Sequence, residues 1–178
     1  MASALAAVLG GIAVAGAAER GRGITGAEMV EILQDEGYRA RLVADRDGDP
    51  QIETRMSGVN VFVHFYDCER GRCGSLQFSV GLDLEQGSTL EVVNAFNREF
   101  RYTRAYLDDE RDPFLEYDFE VLHTDHAAHV ASQIELWEQL LGEFLDATGF
   151  RDEAEDEDEA PEGGGRSVSD PGSVALTD

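Results

Sequence analysis

Between residues 25 and 148 the apolar positions change period several times, and each change marks an element. Thr25-Gly-Ala-Glu28 has the spacing of a capping box, and Met29, Ile32 and Leu33 follow at helical intervals until Gly37 can close the helix. Tyr38–Ala44 and Gln51–Met56 alternate as two strands around the acidic turn Asp45-Arg-Asp-Gly-Asp-Pro50. Val59 to Asp83 holds two further alternating runs. A second capping-box spacing, Ser88-Thr-Leu-Glu91, opens a helix whose apolar stripe is Leu90, Val93, Phe96 and Phe100. Tyr102–Leu107 and Phe114–Val121 form a hairpin. Thr124 then stands where it can cap a long helix with Val130, Ile134, Trp137, Leu141 and Phe144 on one face. The order is α-β-β-β-β-α-β-β-α. Consecutive hairpins require an antiparallel sheet, and three amphipathic helices would cover one face of it, so the expected fold class is a two-layer α+β domain.

The strands on either side of "CERGRC" carry their own register. If Cys68 and Cys73 lie opposite each other, Phe65 faces Leu76, Val63 faces Phe78 and Val61 faces Val80 in one apolar stripe. The other side then pairs Tyr66 with Ser75, His64 with Gln77 and Phe62 with Ser79, a mixed and mostly polar set. A slip of one residue would set core side chains against solvent-facing ones. The register that joins the cysteines is therefore the one the hydrophobic pattern wants, and a cross-strand disulfide spanning a four-residue loop is geometrically credible. Such a six-residue ring is worth only about 2 kcal/mol, a hairpin clip. Zinc would need four ligands, and His64 lies roughly 13 Å along the strand from Cys68. A redox pair would prefer C-x-x-C at a helix N-terminus. Free thiols are the remaining alternative.

Composition narrows the function classes. The chain has 178 residues, 42% of them apolar, enough for one domain with a real core and tails. Its charge is −23, and all 14 basic residues are arginine. The absence of lysine excludes a P-loop lysine, a Schiff-base lysine and a Ser-Lys dyad. Nucleic acid is a poor partner for so acidic a chain. Residues 1–18 carry no charged side chain and end in Ala15-Gly16-Ala17-Ala18, which suits a cleaved export signal even though its start lacks a basic residue. A retained anchor and a cytosolic Ala-Gly leader are the alternatives. The expectation is a periplasmic or secreted domain over residues 24–150, with no stable membrane insertion once the signal is removed. Residues 151–178, with ten acids and two arginines, read as a disordered acidic tail.

Candidate chemistry is sparse. Counted from Asp45, the places where an EF-hand needs glycine and glutamate hold Pro50 and Met56, so "DRDGDP" is a turn. His123, His126 and His129 recur every third residue, but nothing of convincing spacing completes a metal site. No G-x-S-x-G or H-E-x-x-H occurs, and neither cofactor nor metal nor catalytic residue is nominated. One polar face stands out: Asn94, Asn97, Arg98 and Arg101, with Arg104 just beyond. It could take an acidic peptide or ligand; the plainer reading is ion pairing with Asp108, Asp109 and Glu110.

Tyr38 with "DRDGDPQI", "FYDCERGRCGSLQFSVGLDL", "NAFNREFRYTRAYLDDERDPFLEYD" and the helix carrying Trp137 together resemble the YbjN family of bacterial proteins, over residues 24–148. The two cysteines before Ser-Leu-Gln-Phe resemble those of exported family members. The charge-free start and the acidic tail depart from the family pattern. The resemblance implies a fold similar to type III secretion chaperones, small proteins that commonly dimerise and bind extended segments of partners, and a role described as sensory transduction regulation. The expected function is a non-enzymatic, chaperone-like regulatory module acting through protein contacts with a partner the sequence does not name. An open sheet edge would favour a homodimer. The alternative is a small-ligand receptor or enzyme using the polar Asn/Arg face.

Overall fold

The computed structural model describes residues 23–151 apart from Asp47, so the expected export signal, and all of the expected acidic tail after Arg151, lie outside the described residues. Its elements are α1 (Gly26–Asp35), β1 (Ala40–Ala44), β2 (Pro50–Met56), β3 (Val59–Glu69), β4 (Arg72–Gly81), α2 (Leu90–Glu99), β5 (Thr103–Leu107), β6 (Pro113–Glu120) and α3 (His126–Thr148). The strands form one antiparallel sheet in the order β1-β2-β3-β4-β6-β5. The α+β class and the element order are those the periodicity predicts.

The three helices lie on one face. Alternation sends Ile52, Val61, Val63, Phe65, Leu76, Phe78, Val80, Leu115, Tyr117 and Phe119 toward them, where they meet Met29, Leu33, Val93, Phe96, Ile134, Trp137, Leu141 and Phe144 in one core. Trp137 stacks on Phe78 at 5.6 Å and Phe96 meets Phe144 edge-on at 5.2 Å, so α3 is keyed to both the sheet and α2.

Local signals explain the ends. In α1 the Thr25 side chain accepts from the Glu28 amide and the Glu28 carboxylate accepts from the Thr25 amide, the reciprocal capping box. In α2 the cap is Thr89, not Ser88: Thr89 accepts from the Val92 amide, while the Ser88 carbonyl accepts from the Arg111 guanidinium. Two adjacent hydroxyl residues made the spacing ambiguous. The shift places Leu90 at the first helical position, 63% exposed, off the apolar stripe that Val93 and Phe96 form. At α3 the cap is Asp125, and Thr124 instead donates its hydroxyl to the Val121 carbonyl.

The β3–β4 register is the one that the hydrophobic pattern requires: Phe65 pairs with Leu76, Val63 with Phe78, His64 with Gln77 and Cys68 with Cys73. Pairing continues to Glu69 and Arg72, which leaves a loop of two residues where four were expected. Arg70 and Gly71 both have positive φ, 53° and 79°, the requirement of a type I′ turn.

Candidate functional site

No described element packs on the other face of the sheet, and its side chains bond laterally to one another. One row crosses all six strands: Arg41, Glu53, Phe62, Ser79, Glu116 and Arg104. A second runs Val43, Gln51, His64, Gln77 and Asp118. Arg41 pairs with Glu53 at one end and Arg104 with Glu116 at the other. Between them Gln51 Nε2 lies 3.3 Å from His64 Nδ1, and His64 Nε2 lies 2.8 Å from Ser79 Oγ. Gln77 donates to Asp118 at 2.9 Å and accepts from the Tyr66 hydroxyl at 3.3 Å. The Tyr106 hydroxyl donates to Glu116 at 2.8 Å, and the Tyr106 ring stacks on Phe114 at 5.4 Å. Phe114 in turn lies over Gly81, where a Cβ would come within 2.3 Å of its ring. Gln51, Gln77, Ser79 and Glu116 are buried by these neighbours, and Tyr66 is exposed.

The electrostatics of this surface lean negative. Burial first, then the carboxylates of Asp118 and Glu116, push the Tyr66 phenol above its usual range. Burial, followed by the hydrogen bond to Glu116 and its charge, does the same to Tyr106.

Gln51, His64 and Ser79 share the outline of an orienter–base–nucleophile relay. Ser79 is wholly buried, so a substrate has no approach to its Oγ. With Gln51 donating to Nδ1, the imidazole proton sits on Nε2 and is given to Ser79, the reverse of general-base polarity. As arranged, the trio orders the surface.

The residues nominated from sequence do not converge. Asn97 uses both ends of its amide on Ala105: Nδ2 donates to the carbonyl and Oδ1 accepts from the amide, each at 2.9 Å. It thereby occupies the outer edge of β5 as a neighbouring strand would. Arg104 belongs to the sheet row, bound to Glu116 and not to Asp108, Asp109 or Glu110. Arg101 lies over the Tyr102 ring at 5.1 Å, while Asn94 and Arg98 are exposed on α2. The cavity near α2, about 440 Å³, is lined by Thr89, Leu90, Glu91, Leu107, Asp108 and Arg111, and by none of those five.

The histidines are also apart in role. His129 bonds to the Glu120 carbonyl at 2.9 Å and meets Phe119 edge-on, and His123 has φ 62° ahead of the helix. No group of three metal-ligating side chains occurs among the described residues. The Asp45 carboxylate accepts from the Asp49 amide at 2.9 Å, which makes that cluster a self-bonded turn. Cys68 and Cys73 are joined as a disulfide beside a cavity of about 830 Å³ at the β3–β4 tip.

The chain is thus a two-layer α+β protein with one six-stranded sheet, helices on one face and a polar, laterally bonded row on the other. The sequence matches the YbjN family over residues 25–150, and the chain belongs to that family, which is described as "Putative bacterial sensory transduction regulator". Comparison with curated proteins gave no match.

The row itself was not read from the sequence. Its middle was within reach, because pairing Cys68 with Cys73 already sets His64 against Gln77 and Phe62 against Ser79. Its ends, Arg41–Glu53 and Arg104–Glu116, lie across the β1–β2 and β5–β6 hairpins, where no cysteine pair fixes the register, and only the pairing of β6 with β4 joins them into one row.

Proposed function

We propose that this protein is a non-enzymatic regulatory binding module of the exported compartment, chaperone-like, which holds an extended segment of another protein across the polar face of its sheet. The observation that carries this reading is the row of side chains crossing all six strands with no described element over it. Tyr66, Phe62 and Tyr106 supply aromatic surface at low entropic cost, and the ordered amides and carboxylates supply acceptors. The carboxylates that raise Tyr66 and Tyr106 favour a segment bearing basic side chains, in keeping with the chain's charge of −23. Family membership supports the regulatory part of the reading.

The test places a photo-crosslinking residue at Phe62 or Tyr66 in living cells, with exposed Glu135 of α3 as the control. A single defined protein should crosslink from the sheet positions and not from α3. Equal capture from both, or none from the sheet across growth and stress conditions, would overturn the proposal. Intact mass of the same protein from the periplasmic fraction reports its N-terminus and checks the compartment.

A further inference from the structure

The β3–β4 tip carries a feature that is independent of the sheet-face reading. Cys68 is exposed, whereas Cys73, to which it is bonded, is fully buried. The Cys73 amide donates to the Ile24 carbonyl at 2.8 Å, and the Cys73 carbonyl accepts from the Ile24 amide at 2.9 Å. Beside them Gly23 has φ +66°, and a Cβ there would come within 2.4 Å of the Cys73 oxygen, so only glycine fits this approach. Arg72 donates from Nε to the Gly23 carbonyl at 3.1 Å and from one terminal nitrogen to both Glu28 oxygens, at 2.9 and 2.8 Å. Glu28 is also the residue that closes the α1 capping box. Residues 72–73 and 23–24 thus form one clasp at the entrance to α1, and the disulfide is its covalent member.

We propose that Cys68–Cys73 is a thiol-exchange site whose reduction opens this clasp and frees the segment entering α1. The co-reactant is a protein or small-molecule dithiol. One of its thiolates attacks the Cys68 sulfur, a bond forms between them, the Cys68–Cys73 bond breaks, and Cys73 leaves as a thiolate that takes up a proton. The second thiol of the reductant then attacks its own sulfur in the mixed disulfide and releases Cys68 as a thiol. The reductant ends as a disulfide, and the cysteine pair has gained two electrons and two protons. Attack falls on Cys68 because Cys73 is enclosed. The cavity bordered by Asp67, Cys68, Glu69, Arg70, Arg72 and Leu122 gives the approach. Opening follows because the tip holds Asp67 and Arg70 at positive φ, 54° and 53°, and Asp67 interrupts the ladder. Without the cross-link, Cys73 is held by the clasp's hydrogen bonds, the Glu69–Arg72 pair beyond it and its place in the core.

Hydrogen exchange on the full chain, oxidised against dithiothreitol-reduced, tests the proposal. The Ile24 and Cys73 amides should exchange about tenfold faster or more after reduction, the scale that a cross-link closing so short a loop can supply. Residues 137–141 of α3 should be unchanged. No change at the clasp, or equal acceleration in α3, would overturn it. Because a double serine variant can fail to fold, Arg72→Ala with the disulfide intact serves as the second arm. It should also speed exchange at Ile24, and unchanged exchange would overturn the clasp. Finally, a dithiol reductant lacking its second cysteine should be trapped on Cys68. Trapping on Cys73 would overturn the direction of attack.

Discussion

Phe78 and Ser79 are neighbours in β4, and both are fully buried, yet they are buried by opposite means. Phe78 points toward the helices and contacts Tyr117, Phe119 and Trp137 through ring faces. Ser79 points the other way, toward His64, in a row where polar groups are satisfied by the strand next door. The helix-covered face excludes water by filling volume, which a deletion cannot restore. The polar face orders its groups through single hydrogen bonds, each worth about 1 kcal/mol net, and those at its exposed positions, such as Tyr66, are replaceable by water or by a ligand. One sheet therefore has a face that holds the fold and a face that can exchange partners at low cost.

The sharpest way to break that contrast is to truncate the two neighbours separately. Phe78→Ala should cost about 3–5 kcal/mol, since it removes an enclosed ring from the stack on Trp137. Trp137 is the single tryptophan, so its fluorescence in a urea titration reports the loss directly. Ser79→Ala should cost only about 1 kcal/mol in the same titration. A Ser79 effect as large as that of Phe78 would mean that the polar face is also structural core.

Tyr106 offers a smaller and pH-dependent test. Its phenol is raised above the ordinary value of 10.0 by burial and by the hydrogen bond to Glu116. An acid whose folded pKa is raised contributes stability that is complete below the unfolded value and lost as pH climbs from there toward the folded one. Stability should therefore fall from about pH 10 upward. Tyr106→Phe removes one titrating group, so its decline should be shallower than that of the wild type, while burial of Tyr66 and Tyr117 keeps some slope. At neutral pH the variant should lose about 1 kcal/mol or less. Parallel alkaline denaturation curves would show that the Tyr106–Glu116 bond is not felt by the fold.

How much of this could be read from the chain depends on how local each signal is. The Thr25–Glu28 box spans one turn, and the β3–β4 register is set by a two-residue period across a tight loop, so both were legible. Thr89 was misread because Ser88 offers the same chemistry one residue earlier. Asn97 looked like a free polar position, because its role requires knowing that α2 docks along β5 and leaves the Ala105 backbone within reach. Arg104 sits near the acidic turn in sequence but on the sheet in space, where Glu116 is across the strand pair. Helical periodicity shows which face is apolar; it is silent on what a polar face will meet.

The smallest expected effect decides whether the polar face is a working surface. Tyr66 is 44% exposed and gives its fold one long hydrogen bond, to Gln77 at 3.3 Å. Tyr66→Ala should change stability by about 0.5 kcal/mol or less, within the range of ordinary surface substitutions. If the row serves only to order the sheet, capture of a partner at Phe62 should survive that substitution. If a segment docks there, losing the aromatic ring should abolish or sharply reduce crosslinking from Phe62 while the urea midpoint barely moves. A large aromatic side chain that contributes little to stability and much to partner capture is what separates a binding face from a merely solvated one.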